Sequence, residues 1–286
     1  MRPYPSRPVP VPLPADAAPP VLLVIAHGSR DPRHAATVRA LTRRLRAPHP
    51  RVRVETAFLD FDAPSVPEAL DRLAGRGVRD VVAVPLLLTR AFHATSDIPA
   101  VLREAAHRHP RLRIRQAGVL GPAPLLTEAL ERRLYEAGLT PGDKGSTGVV
   151  LASAGSSDPA AIAVIADIAR EWRHTGWCAV RPAFASASLP RTEDVVRELR
   201  AEPGVRRVAV APYVIAPGRL PDRIADGARA GGAEVRGEVL GAAPELARLL
   251  VRRYEAAVAD GEPVGARWAG ARWRTARWAG TLARPA

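Results

Sequence analysis

Three side chains in the first half of the chain are of types that hold metal ions and move protons. His27 stands in IAHGSRDP (25–32), Asp60 in AFLDFDAP (57–64) and His93 in AFHATSDIP (91–99). Two imidazoles and a carboxylate suit a divalent first-row metal. An imidazole is also a base that titrates near neutral pH. Each residue has a plainer alternative. A single histidine in a turn is ordinarily solvated, and an aspartate after a strand often caps the next helix. Arg30 and Arg90 flank the two histidine segments and suit anionic groups, with a solvated surface position as the other reading. Ser29 can donate a hydrogen bond to a carboxylate or cap a helix. Other apparent signals are weaker. His107 and His109 sit beside arginines without further ligands, HGS lacks the G-x-S-x-G pattern of a nucleophile elbow, and GVLGPAP lacks a full dinucleotide glycine pattern.

The positions of these residues follow from the elements around them. His27 directly follows the apolar run VLLVIA (21–26), Asp60 follows VRVETAFL (52–59), and His93 lies shortly after VVAVPLLL (81–88). Helical periodicity marks 33–47, 65–77, a stretch near 97–108 and 124–138, with a further strand near 111–120. Strands alternating with helices at this spacing imply parallel β-α-β units with helices on both sheet faces. In such a sheet the carboxyl ends of the strands border the ligand crevice. All three candidates therefore belong to one edge of one sheet.

The pattern is then repeated without its chemistry. LLVIAHGSRDP (22–32) matches VVLASAGSSDP (149–159), and GVRDVVAVP (77–85) matches GVRRVAVAP (204–212) at the same offset. His27 falls opposite Ala154 and His93 opposite Leu220. Pairing the Ala-Phe at 57–58 with that at 183–184 sets Asp60 opposite Ser186. Apolar framework residues and Pro85/Pro212 persist while the candidate site residues do not, which predicts one functional unit and one structural unit. The expected fold class is α/β, with two similar flavodoxin-like lobes, each a parallel sheet flanked by helices. The expected boundaries are a Pro-rich arm over 1–19, a first lobe over 20–138, a linker over 139–148, a second lobe over 149–260 and a basic tail over 261–286. That tail repeats Arg-Trp at Trp268, Trp273 and Trp278 with a five-residue period that fits neither helix nor strand, and it reads as disordered.

Composition bounds the rest. The 286 residues are 47% hydrophobic, enough for a core in each lobe. No apolar run approaches the roughly 20 residues of a membrane span. The N-terminal segment lacks the apolar stretch of a signal peptide, so the chain reads as cytoplasmic. Cys178 is the single cysteine, which excludes an internal disulfide and a thiolate metal cluster, and its apolar neighbours predict a buried thiol. The formal net charge of +13 favours polyanionic partners. Specific nucleic-acid binding is not expected, because recognised motifs are missing and only 5% of residues are aromatic. A small polycarboxylate accounts for the charge equally well.

IAHGSRDP, AFLDFDAPS and FHATSDIP together resemble the cobalt- and ferro-chelatases that act on sirohydrochlorin, the CbiX/SirB type of class II chelatase. The resemblance runs over roughly residues 20–258. It implies two chelatase-like lobes with a tetrapyrrole between them, and a metal and catalytic site formed by His27, His93 and Asp60. The family commonly has Glu where this chain has Asp60, so the carboxylate has a shorter reach here. The resemblance implies that a divalent ion, Fe²⁺, Co²⁺ or Ni²⁺, is a substrate, with no organic cofactor and iron expected ahead of cobalt. The partner it implies is sirohydrochlorin, with its eight carboxylates, met by Ser29, Arg30 and Arg90. A monomer or weak homo-oligomer is expected, in sirohaem or cobalamin biosynthesis. Two other readings stand beside it: a non-catalytic tetrapyrrole or metal carrier using the same cleft, and a metal-dependent hydrolase of polyanions, for which a further ligand is missing.

Overall fold

VLLVIA is apolar at every position because its strand is covered on both faces. Val21–Ala26 (β1) is buried throughout. Leu22, Val24 and Ala26 enter one core cluster while Val21, Leu23 and Ile25 enter another. This is the behaviour of a central parallel strand. The computed structural model describes residues 19–46, 48–89 and 96–261. His93 and Arg90 lie outside the described residues, as do the Pro-rich arm up to residue 18 and the tail from residue 262.

In the first lobe, β1 is followed by α1 (Pro32–Arg46), β2 (Val54–Phe58), α2 (Val66–Gly75), β3 (Asp80–Pro85), α3 (Ile98–Arg108), β4 (Arg113–Gln116) and α4 (Pro124–Glu136). The second lobe repeats the order with β5 (Thr147–Ser153), α5 (Pro159–Arg173), β6 (Ala179–Phe184), α6 (Thr192–Arg200), β7 (Arg207–Tyr213), α7 (Arg219–Gly231), β8 (Val235–Arg236) and α8 (Pro244–Asp260). The sheets run β2-β1-β3-β4 and β6-β5-β7-β8, and every strand pair is parallel. Strand order reverses at β1/β3 and again at β5/β7. In a doubly wound sheet this is where the connections leave for opposite faces and open a crevice.

β4 is shorter than the stretch expected at 111–120, and its counterpart β8 is shorter still. Both are edge strands with one neighbour, and periodicity alone does not say where pairing stops. The connection expected at 139–148 is a 3₁₀ turn over Pro141–Ser146, and Thr147 and Gly148 already belong to β5. Cys178 is half-buried rather than fully buried.

The terminal helices are exchanged between the lobes. α4 packs on β7 of the second sheet, whereas α8 packs on β3, β4 and α1 of the first. The Tyr254 hydroxyl of α8 donates to the Pro20 carbonyl at 2.8 Å, and the Arg253 guanidinium donates to the Leu120 carbonyl at 3.0 Å. In the other direction, Arg133 of α4 donates to the Leu240 carbonyl at 3.0 Å. α4 and α8 also meet each other, with Arg132 paired to Glu245 at 3.0 Å. Burial pushes the Glu245 carboxyl up, but the Arg132 hydrogen bonds outweigh it and hold the group below its ordinary value. One apolar cluster consequently runs through both lobes, from Leu22 and Val84 to Leu151 and Ala211. Each lobe keeps a separate cluster on its outer face.

Candidate active site

The loop leaving β1 is built against the loop leaving β2. Asp60 N–H donates to the His27 carbonyl at 2.9 Å, extending the strand pairing by one step. The chain then turns at Gly28, whose φ is +95°. A Cβ there would lie 1.8 Å from the Asp60 carbonyl oxygen, so only glycine fits. Ser29 N–H donates to Asp62 Oδ2 at 3.0 Å, and the Ser29 hydroxyl accepts from Asp31 N–H at 3.1 Å. Asp31 in turn accepts from Arg33 N–H at 2.9 Å, so Asp31 rather than Ser29 caps α1.

His27 is half-buried at the end of β1, with Nδ1 3.2 Å from its neighbour's carbonyl at Gly28. Asp60 is exposed beside it, and its carboxylate accepts from Phe61 N–H at 2.8 Å. The structure thus brings His27, Asp60, Ser29 and Arg30 to one corner of the first sheet. His93 and Arg90 are not among the described residues. Among those that are, no group of three or more His, Cys, Asp or Glu side chains is placed to hold a metal ion. His109 is accounted for elsewhere: its Nε2 meets Asp71 at 2.7 Å, and Asp71 also accepts from Arg108.

The second lobe reproduces this corner almost atom for atom in its backbone. Ser186 N–H donates to the Ala154 carbonyl at 3.0 Å. Gly155 has a φ of +91°, and a Cβ there would lie 1.9 Å from the Ser186 carbonyl oxygen. Ser156 N–H reaches the Ser188 hydroxyl at 3.3 Å, where Ser29 reaches Asp62 in the first lobe. Hydrogen bonding therefore pairs His27 with Ala154 and Asp60 with Ser186, the pairs drawn from the sequence repeat. The scaffold is duplicated, down to the capping aspartate (Asp31 and Asp158), whereas His27, Asp60 and Asp62 have no ionisable counterpart.

A cavity of about 340 Å³ opens between the lobes. Leu86–Thr89 line it from the first lobe, with Ala154, Phe184, Tyr213 and Leu220 from the second. Ala154 and Leu220, the counterparts of His27 and His93, thus face the inter-lobe space, while Ser186 is not part of the lining. The ion pair Arg33–Asp222, at 2.5 Å, joins the N-terminal turns of α1 and α7 across the lobes.

Three residues of this corner escape a reading by residue type alone. Asp62 holds the Ser29 amide. Phe61 is 52% exposed, takes a φ of 62°, lies 6.4 Å from the His27 ring and stacks under the Arg30 guanidinium at 5.2 Å. His34, on the first turn of α1, lines the cavity. Aligned through the repeat, they stand opposite Ser188, Ala187 and Ala161. A bulky side chain in the left-handed region costs about 1–2 kcal/mol relative to ordinary backbone. Phe61→Gly is accordingly expected to be about 1 kcal/mol more stable than Phe61→Ala in denaturant unfolding. Equal midpoints for the two variants would show that position 61 is unstrained.

The CbiX family model matches residues 21–137 and 148–257. The chain belongs to the CbiX family. The two matched segments are the two lobes, so this member carries the family unit twice. It is 30% identical to the sirohydrochlorin cobaltochelatase of Priestia megaterium over 208 residues, 71% of this chain and 66% of that protein. It is also 30% identical to the sirohydrochlorin ferrochelatase of Bacillus subtilis (strain 168), over 71% of this chain and 77% of that protein. Among solved structures, SirB from Bacillus subtilis with Fe³⁺ superposes with a TM-score of 0.73 at 24% identity, over 85% of this chain and 96% of that one. SirB from Bacillus subtilis subspecies spizizenii in complex with cobalt gives 0.66 at 20% identity, with the same coverage. At these identities the superpositions establish the two-lobed CbiX fold. No helix among the described residues is long and apolar enough to cross a membrane.

Proposed function

We propose that this CbiX-family chain is a sirohydrochlorin chelatase that inserts a divalent metal, Fe²⁺ or Co²⁺, into the macrocycle held between its lobes. The observation that carries the proposal is the pair of strand-end corners with matching main-chain hydrogen bonds, of which only the first holds an imidazole and a carboxylate beyond the helix cap, His27 and Asp60. The chemical task explains that asymmetry. A tetrapyrrole must lose two pyrrole protons as the ion enters, and one face of a planar ring needs one set of bases. His27, half-buried at the end of β1, is placed to hold the ion or accept a proton. His93 is its proposed partner from the segment after β3. Asp60, exposed at the rim, would pass the ion in or the protons out. Arg30, steadied on the Phe61 ring, is the proposed contact for a substrate carboxylate, with Arg90 and the Ser29 hydroxyl proton as further contacts. Imidazole and carboxylate ligands bind Fe²⁺, Co²⁺ and Ni²⁺ alike, so the donor set ranks none of them. Iron or cobalt comes from the relatives' activities. No organic cofactor enters this chemistry.

Stoichiometry tests the proposal. Protein at one-tenth the concentration of sirohydrochlorin, with excess Fe²⁺ or Co²⁺ under anaerobic conditions, is expected to metallate the whole pool. Product that stops at one equivalent per chain would make the protein a carrier instead.

A further inference from the structure

His34 passes the same test of duplication as His27. It stands opposite Ala161, in the same register that sets His27 opposite Ala154. Both members of the 34/161 pair line the inter-lobe cavity, one from each lobe. Among the described residues of that lining, His34 and Tyr213 are the titratable side chains, and the others are apolar, glycine, serine and threonine residues. Its Nδ1 is buried and has no hydrogen-bond partner among the described residues. Burial lowers its pKa below the ordinary imidazole value, with nearby His27 adding to the lowering and Asp62 and Asp31 opposing it, which favours the neutral ring.

A packing role does not explain this residue. Leucine or methionine would fill the same wall without a desolvated ring nitrogen, and native structures rarely leave such an atom unpaired. The second copy fills the position with alanine. A side chain that is costly to bury, present in one copy only and set in a cavity wall is explained by a ligand that completes its bonding.

We infer that His34 is a substrate-positioning residue, whose imidazole hydrogen-bonds an edge of the tetrapyrrole that enters the inter-lobe cavity. The inference rests on the chelatase reading and adds to it. His27 and His93 address the metal and the ring nitrogens, while His34 fixes how far the macrocycle slides between the lobes. The largely apolar second-lobe wall receives the ring hydrocarbon, and His34 supplies a directional contact from the facing first lobe. Because it acts on placement, it belongs to binding rather than to the chemical step.

The test is a titration of metal-free sirohydrochlorin into the wild type, His34→Leu and His34→Asn, followed by initial rates and thermal melting. His34→Leu is expected to bind about tenfold more weakly and raise KM to match, with kcat within threefold of wild type and a melting temperature no lower. His34→Asn, which restores a hydrogen-bonding group, is expected to recover at least half of the lost affinity on a logarithmic scale. Wild-type affinity in His34→Leu overturns the inference, and so does a lowered melting temperature with unchanged KM, which marks a structural residue. If the wild type itself neither binds nor metallates sirohydrochlorin, the chelatase reading fails and takes this inference with it. If the wild type metallates and His34→Leu matches its KM, only the His34 inference fails.

Discussion

Gly28→Ala is expected to unfold the protein at a temperature on the order of 10 °C lower, and Gly155→Ala to do nearly the same. Both glycines have a φ above +90° and both face a carbonyl oxygen closer than 2 Å to where a Cβ would sit. An alanine at either position must distort its own backbone and push away the loop that follows β2 or β6. That loop is held by main-chain hydrogen bonds at both places, Asp60 to His27 and Ser186 to Ala154, so it cannot yield locally. The combined cost is about 4 kcal/mol, at the upper end for single substitutions. Differential scanning calorimetry of the two variants measures it. A neutral result for either one would mean that its turn is not the close approach described.

The second large effect separates the lobes where the first equates them. His27→Ala is expected to lower the rate of metal insertion by 10²–10⁴, roughly the contribution of a positioned acid or base. His93→Ala is expected to fall in the same range. Ala154→Ser and Leu220→Ala, at the aligned positions of the second lobe, are expected to stay within about threefold of wild type, since truncating or adding one small group at a cleft wall changes little beyond local packing. Initial rates followed by absorbance check this. A loss at Ala154 as large as that at His27 would mean that chemistry is shared between the lobes.

The glycine pair and the histidine pair show what was legible in the sequence. The β-strands, the helices and the duplication all came from periodicity and repeated words, and the pairing of Asp60 with Ser186 emerged from one shared Ala-Phe step. Main-chain hydrogen bonds later matched that pairing. The exchange of α4 and α8 was not legible, because an amphipathic helix shows that it has a buried face but not which sheet it covers. Tyr254 reaching Pro20 is a contact between the two ends of the folded chain, and no local pattern encodes it. Asp62 escaped notice for a different reason. It serves a backbone amide, and an aspartate in a turn carries no mark that distinguishes this task from solvation. Ser29 resembled a cap, but the cap lies two residues later at Asp31, within the ordinary uncertainty of helix starts. His34 was legible in principle, since the repeat that exposed His27 exposes it too.

The duplication also has a structural consequence. The second lobe supplies helix α8 to cover the first sheet and most of the cavity lining, so the first lobe depends on it for structure. The most direct measurement of the central claim is the initial rate at which sirohydrochlorin takes up Fe²⁺ or Co²⁺, with and without the purified protein, read from the absorbance of the metallated ring. The account predicts a clear acceleration over the protein-free rate with at least one of these metals. An identical rate with and without protein, for every metal, would contradict it.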